Sequence, residues 1–250
     1  MELQSKWTAR YPYLSSAIPL VTKLVANLRN QPEAELEARF GVYKDGHFKA
    51  GVSREDIDRV IDMMQSSSHI VGDDAWTEEQ DFFFQGADGK SHRTRVQYRS
   101  EDMQVRPHTI KKHNMGSETF CVFDDNERLS CDIRVSLKLE EPIVRMQTCV
   151  KTSMVRIKQR RRFTTDDSIW GFDFAMLWSG TNKTQAENSQ ASCDPQFEIE
   201  CELIEPVKAL ALHDDAWIAT SLLLKICDLL PLVASTKKLR VESVNERRVD

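Results

Sequence analysis

A chain of 250 residues has room for one large domain or two small ones. With 40% hydrophobic and 29% charged residues it has the make-up of a globular protein, which excludes a disordered or fibrous chain. A net charge of -5 excludes binding to nucleic acid through overall basicity, so any basic footprint must be local.

From Ser15 to Asn30, Ile18, Val21, Leu24, Val25 and Leu28 form a helical stripe, which Asn30 and Pro32 end. Glu35-Leu36-Glu37-Ala38-Arg39-Phe40-Gly41 follows, alternating charged and apolar residues as a strand does. Asp45-Gly46 is a turn signal. Ser53, with Asp56 three residues on, opens a helix whose apolar face is Ile57, Val60, Ile61 and Met64. Trp76–Val150 then reads as strands. Gln80–Gln85 and Ser91–Tyr98 flank Gly86-Ala87-Asp88-Gly89-Lys90, a hairpin turn. That loop is not a P-loop, because the position of the first glycine is Phe84.

Thr109–Lys112, Thr119–Asp124, Asp132–Glu140, Val155–Phe163 and Ile169–Leu177 are further strands. Ser179–Pro195 is polar and aperiodic, and reads as a long surface loop. Phe197–Leu203 repeats the acidic alternation with Glu198, Glu200 and Glu202. Pro206–Leu230 reads as one or two helices, burying Ala209, Leu210, Leu212, Leu222, Leu223 and Ile226, before a charged tail from Ser235. No linker divides the chain, so a single domain over 1–250 is expected. It would comprise an N-terminal helix over 15–30, a barrel over 33–205, C-terminal helices over 206–231 and the tail over 235–250.

No apolar run approaches the ~20 residues of a membrane span, and Met1–Arg10 lacks a signal-peptide core. The cysteines form no C-x-x-C pair and read as reduced intracellular thiols. The histidines show no H-x-x-x-H spacing, so zinc is not expected.

Three carboxylates stacked on one strand face repel, by about 3 kcal/mol for each adjacent pair at ~6 Å and an effective dielectric of ~20. A solvated edge strand would relax that repulsion; a bound cation would use it. Arg156, Lys158, Arg160 and Arg162 share a face of another strand. Arg93, Arg95, Gln97 and Arg99 share one elsewhere, as do Asp132, Arg134, Ser136, Lys138 and Glu140. Closing such a sheet gathers the charged faces into a lumen and turns the apolar faces outward, against helices. Carboxylates there offer hard oxygen ligands to Mg2+ or Mn2+, and the bases offer donors to phosphate oxygens. Phosphoanhydride hydrolysis is the chemistry that uses both.

Glu35–Gly41, Asp132–Pro142, Arg156–Arg160 and Phe197–Leu203, in that order, resemble the triphosphate tunnel metalloenzymes. The match is to the metal-dependent mRNA 5′-triphosphatases of fungal, protozoan and viral capping systems. The resemblance runs from about Glu33 to Leu203. It implies an α+β, β-dominated fold: a closed eight-stranded antiparallel β-barrel with a polar lumen, packed on several helices. It also implies removal of the γ-phosphate of nascent mRNA to leave a 5′-diphosphate end.

By that resemblance Glu35, Glu37 and Glu202 hold the metal, while Glu140 and Glu200 engage water or organise the metal's shell. Lys158, Arg160 and Arg95 bind the γ-phosphate. Lys111 and Arg156 are supporting bases, and Arg39, Lys138, Asp173 and Glu198 are secondary. Arg95 is taken over Arg93 or Arg99, and Lys111 over Lys112, on parity and spacing. Asp173 stands where the family has an Asp between an Arg and a Thr; here the flanks are Gly171 and Ala175. Arg39 stands where the related CYTH-type enzymes carry a lysine, which favours the capping branch. No K-x-D-G motif is present, so a guanylyltransferase acting in trans is the implied partner, with triphosphate-ended RNA as substrate and the nucleus as location. The alternatives are an inorganic tripolyphosphatase or nucleoside triphosphatase of the same fold, and a non-catalytic barrel that binds polyphosphate or RNA ends.

Overall fold

A computed structural model of the chain describes residues 14–72, 75–85, 91–97, 108–124, 127–128, 131–143, 152–234 and 239–244. In order these form α1 (Leu14–Asn30), β1 (Glu35–Lys44), β2 (His47–Ala50), α2 (Arg54–Ser66), β3 (Ile70–Gly72), β4 (Thr77–Gln85) and β5 (Ser91–Gln97). There follow β6 (His108–Asp124), β7 (Glu127–Arg128), β8 (Asp132–Pro142), β9 (Thr152–Thr165), β10 (Trp170–Gly180) and α3 (Lys183–Ser192). The last elements are β11 (Gln196–Leu203), α4 (Pro206–Leu212), α5 (Asp215–Val233) and β12 (Leu239–Ser243).

Eight strands close on themselves in the order β9-β10-β11-β1-β8-β6-β5-β4 and back to β9. Every pairing in the ring is antiparallel. The closed barrel expected from the charged faces is therefore present. Strand direction defines its two mouths. One carries Glu35, Pro142, Thr77 and Trp170, and the other carries the β1–β2 turn, Gly180 and the start of β9. That turn is Asp45-Gly46, with φ of 52° and 83°, the left-handed pair a two-residue hairpin requires.

The apolar core lies outside the ring. Leu36, Ala38 and Phe40 of β1, Ile133, Val135 and Leu137 of β8, and Ile199, Cys201 and Leu203 of β11 face α1, α2 and α5. Each Leu, Ile, Val or Phe among these, taken from water, contributes roughly 2 kcal/mol. α2 starts at Ser53 through a reciprocal cap: Ser53 Oγ accepts from Asp56 N, and Asp56 Oδ2 accepts from Ser53 N, each at 3.1 Å. α5 is long and apolar enough to cross a membrane by length and composition, contrary to the expectation that no run comes close. Its Ile218, Leu222, Ile226 and Leu229 are buried in the same core as α1 and α2. Cys121, Cys131, Cys193, Cys201 and Cys227 are free thiols, as expected, and Cys149 lies outside the described residues.

Three further expectations are corrected. Leu212, expected to be buried, is 63% exposed. The segment from Ser179 to Pro195 is not a loop, because α3 occupies Lys183–Ser192. Asn182 Oδ1 caps it by accepting from Gln185 N at 2.9 Å, and Ala186 is its buried anchor against Val155, Ile157 and Trp178. Thr109–Lys112 and Thr119–Asp124 are not separate strands but parts of β6, whose ladder with β8 continues through a bulge between Asn114 and Gly116. The expected Gly86–Lys90 turn lies outside the described residues, and the charged tail contributes β12, paired with β6.

Candidate active site

Every second residue of a barrel strand points inward. On β1 these are Glu35, Glu37 and Arg39, and in register with them stand Glu202 (opposite Glu37) and Glu200 (opposite Arg39). Asp173 of β10 lies opposite Glu200 on one side and Arg162 on the other. Asp173, Glu200 and Glu202 thereby each bring one carboxylate oxygen within 4.8 Å of the others.

These acids are matched by bases from neighbouring strands. Arg39 Nη2 reaches Glu37 Oε2 and Glu200 Oε1, both at 3.0 Å. Glu37 also accepts from Ser136 Oγ at 3.0 Å and from Lys138 Nζ. Asp173 receives Arg162 Nε at 2.7 Å and Nη2 at 2.6 Å, with Arg160 Nη2 at 2.7 Å. Arg162 also donates to Glu202. Lys112 Nζ bridges Glu35, at 2.9 Å, and Glu140, at 2.6 Å, and Arg93 Nη2 lies 3.1 Å from Glu140. On the far wall Arg95 grips Asp81 through Nε at 2.8 Å and Nη2 at 3.0 Å, and Glu79 through Nη1 at 3.1 Å.

Two inward bases of β9 stand apart from this pairing. Lys158 is buried, and Arg156 Nε is buried without a hydrogen-bond partner. Neither has a carboxylate within ion-pair distance among the described residues. Lys158 sits near enough to the acids for its charge to help hold Glu200 ionised.

The acids divide by environment. Burial alone would raise all of them. Arg39 and Lys138 outweigh burial at Glu37, which sits below the ordinary carboxylate range. Arg39, Lys158, Lys112 and Arg160 do the same, more strongly, at Glu200, and Lys112 and Arg93 do so at Glu140. At Glu202 burial and the neighbouring Asp173 prevail over Arg162, pushing it up to about 7. Glu198 is raised by burial and by Glu200. The resident bases thus leave a surplus of negative charge beside Glu202, in a site whose donors are all carboxylate oxygens. Such a site fits a hard divalent cation.

The structure brings together Glu35, Glu37, Arg39, Arg95, Lys138, Glu140, Arg156, Lys158, Arg160, Asp173, Glu198, Glu200 and Glu202, all on inward positions. It does not bring Lys111 in: Lys111 stands on the outer face of β6, in register with His92 and Glu141, and Lys112 is the lysine that enters. Glu35 is held by Lys112, and Asp173 and Glu200 join Glu202 in the tight cluster. Arg93 enters beside Arg95, and Arg99 lies outside the described residues. Sequence reasoning missed Glu79 and Asp81, because Thr77-Glu78-Glu79-Gln80-Asp81 is polar on both faces. Arg162 was visible on the basic face of β9 but was given no role.

No protein-family model matches the chain, and no curated protein matches it. Solved structures do. The S. pombe Pct1 RNA triphosphatase matches with a TM-score of 0.61 at 16% identity, over 88% of this chain and 93% of that one. Pct1 in complex with the Spt5 CTD matches with a TM-score of 0.62 at 15% identity, over 88% and 94%. The Mimivirus capping enzyme triphosphatase matches with a TM-score of 0.51 at 10% identity, over 86% and 97%. At these identities the likeness is one of fold: this chain has the tunnel fold of the RNA triphosphatases.

Proposed function

We propose that the chain is a metal-dependent RNA 5′-triphosphatase, cleaving the γ-phosphate from triphosphate-ended RNA to leave a diphosphate end. The observation that carries this reading is the pair of unmatched bases, Lys158 and Arg156, on the same inner wall as Arg160 and close to a surplus of carboxylates. A buried ammonium without a counter-ion is costly, and a polyphosphate is the ligand that would complete it. An uncharged ligand would leave both surpluses standing.

Asp173, Glu200 and Glu202 would hold the cation, with Glu37 across the ladder from Glu202. Bound there, Mg2+ or Mn2+ supplies charge neutralisation at the phosphate oxygens. Lys158, Arg156 and Arg160 hold and orient the γ-phosphate through charge-assisted hydrogen bonds. Glu200 and Glu140, both kept ionised by their basic neighbours, are acceptors suited to orienting the attacking water. Water oxygen bonds to the γ-phosphorus as the bond from that phosphorus to the β–γ bridging oxygen breaks. Orthophosphate leaves carrying the water's oxygen, the proton that the water loses passes to solvent, and the bridging oxygen remains on the RNA diphosphate.

The test compares γ-phosphate release from triphosphate-ended RNA with release from free tripolyphosphate, with Mg2+ and then Mn2+. Release from RNA, leaving a diphosphate end, is expected. A strong preference for tripolyphosphate would move the assignment to an inorganic tripolyphosphatase. Retained binding without release under either metal would make it a binding barrel. In a capping role the chain would act in the nucleus and hand its diphosphate end to a separate guanylyltransferase.

A further inference from the structure

The two mouths of the tunnel differ in how their charges are matched. At the mouth carrying Glu35, the inward bases are neutralised: Lys112 by Glu35 and Glu140, and Arg162 by Asp173 and Glu202. At the mouth carrying the β1–β2 turn, two guanidinium groups lie on phenyl rings instead. Arg134 of β8 stands 4.7 Å over Phe48, and Arg156 of β9 stands 5.4 Å over Phe83. β8 and β9 are four strands apart in a ring of eight, so these two pairs occupy opposite walls.

Arg134 owes its place to like-charge avoidance. Its cross-strand partner is Arg39, whose guanidinium turns inward to Glu37 and Glu200. Two arginines directly opposite repel, and Arg134 turns away, onto Phe48. There its Nε donates to Thr119 Oγ1 at 3.1 Å, and no carboxylate lies within ion-pair distance among the described residues. Glycine at residue 41 lets the β2 backbone cross closely, since a Cβ there would collide with Lys49 O, and the same open space takes the Phe48 ring, whose Cζ would lie 2.8 Å away. The ring thus folds over the inner face of β1 at the rim of the tunnel. Both residues are only partly covered.

We propose that this mouth admits the RNA chain and that Arg134 and Phe48 bind its body, just behind the triphosphate. With the Arg134 guanidinium carbon 4.7 Å over the ring and Nε given to Thr119, the two Nη groups remain to donate to two oxygens of a phosphodiester. The ring is a stacking surface for a base of any identity. The polarity follows from the order of bases on β9. Arg156 lies nearest this mouth, with Lys158 and Arg160 successively deeper, so the triphosphate points inward along them and the chain trails out past Phe48. The proposal rests on the triphosphatase reading and adds the subsite that distinguishes RNA from free polyphosphate.

The test measures KM and kcat for a triphosphate-ended oligonucleotide and for tripolyphosphate with wild type, Phe48→Ala, Phe48→Tyr and Arg134→Gln. Phe48→Ala is expected to raise KM for the oligonucleotide about tenfold, and Phe48→Tyr to keep the wild-type value. Arg134→Gln is expected to raise the same KM and to flatten its dependence on log salt by about 0.7. Values for tripolyphosphate should not move. Equal losses on both substrates would make the pair structural, and an unchanged KM for the oligonucleotide would put the RNA elsewhere; either overturns the proposal. Fluorescence anisotropy of the labelled oligonucleotide reads the same contrast without turnover. A wild-type protein that releases no phosphate but binds the oligonucleotide through Phe48 would sink the hydrolytic reading and leave the subsite standing.

Discussion

Arg162 shows what one side chain does to the acidic cluster. Its guanidinium donates to both Asp173 and Glu202 and so holds the two acids together. It therefore competes with any divalent cation for the same oxygens. Replacing it, as Arg162→Gln, should tighten Mn2+ binding about tenfold at pH 8 by calorimetry. Weaker or unchanged binding would mean that the guanidinium organises the acids rather than competing for them. Glu202 adds a pH dependence. Its folded value of about 7 exceeds the ordinary 4.5, so between the two the native state keeps a proton that the unfolded chain has lost. Stability of the metal-free protein then falls as pH rises from about 5 to 7. Glu37, Glu140 and Glu200 are lowered instead, and their stabilisation is already complete above the ordinary carboxylate range. A cation favours ionised Glu202, so the gain in Tm on adding Mn2+ should be larger at pH 8 than at pH 6; a gain independent of pH would contradict the assignment of Glu202 to the metal. At this scale the acids of β1 and β11 were legible because strict alternation isolates them on one face. Lys112 was not, because Lys111 and Lys112 are adjacent and only the pairing with β8 decides which one enters.

Element by element, what could be read depended on periodicity. α1, α2 and α5 carry buried apolar residues at helical spacing, and a strand can be read within every ring strand, though β4 only from Gln80 and β6 only as two pieces. α3 carries a single buried residue, Ala186, so nothing in its hydrophobic pattern marks it. What holds it is close contact. Gly180, at the end of β10, lies so near that a Cβ would fall 2.5 Å from Ala186 N. Gly180→Ala should push α3 off the patch formed by Val155, Ile157 and Trp178, at a cost of about 1–3 kcal/mol. Asn182→Ala, which removes only the cap, should cost about 1 kcal/mol. Differential scanning calorimetry would show the larger fall in Tm for the glycine variant. No change in either variant would mean that this segment behaves as the loop its composition suggested. β6 makes the complementary point: its two apolar runs are one strand because a bulge absorbs the residue that breaks the alternation.

For the whole molecule, the consequence of an inside-out barrel is that its lumen must satisfy itself when empty. Most inward carboxylates already have bases: Arg39 for Glu37 and Glu200, Lys112 for Glu35 and Glu140, and Arg160 and Arg162 for Asp173. The fold consequently does not depend on a metal in the way that a small zinc domain does. Chelation with EDTA should leave the far-UV circular dichroism spectrum unchanged. On the proposed function, the same pairing would couple the two ligands. A divalent cation taking oxygens of Asp173, Glu200 and Glu202 draws them from Arg39, Arg160 and Arg162, and those guanidinium groups then face the phosphate with their charge unspent. A polyphosphate that engages the bases first leaves the acids bare and raises their demand for the cation. Each ligand should therefore tighten the other by the same factor, within the 5- to 150-fold range common for linked sites, about 1–3 kcal/mol. Mn2+ and a non-hydrolysable imidotriphosphate, titrated singly and together, should raise Tm jointly by more than the sum of their separate effects. Simple additivity would mean that the bases hold phosphate without releasing the carboxylates, and the exchange of partners across the lumen would have to be abandoned.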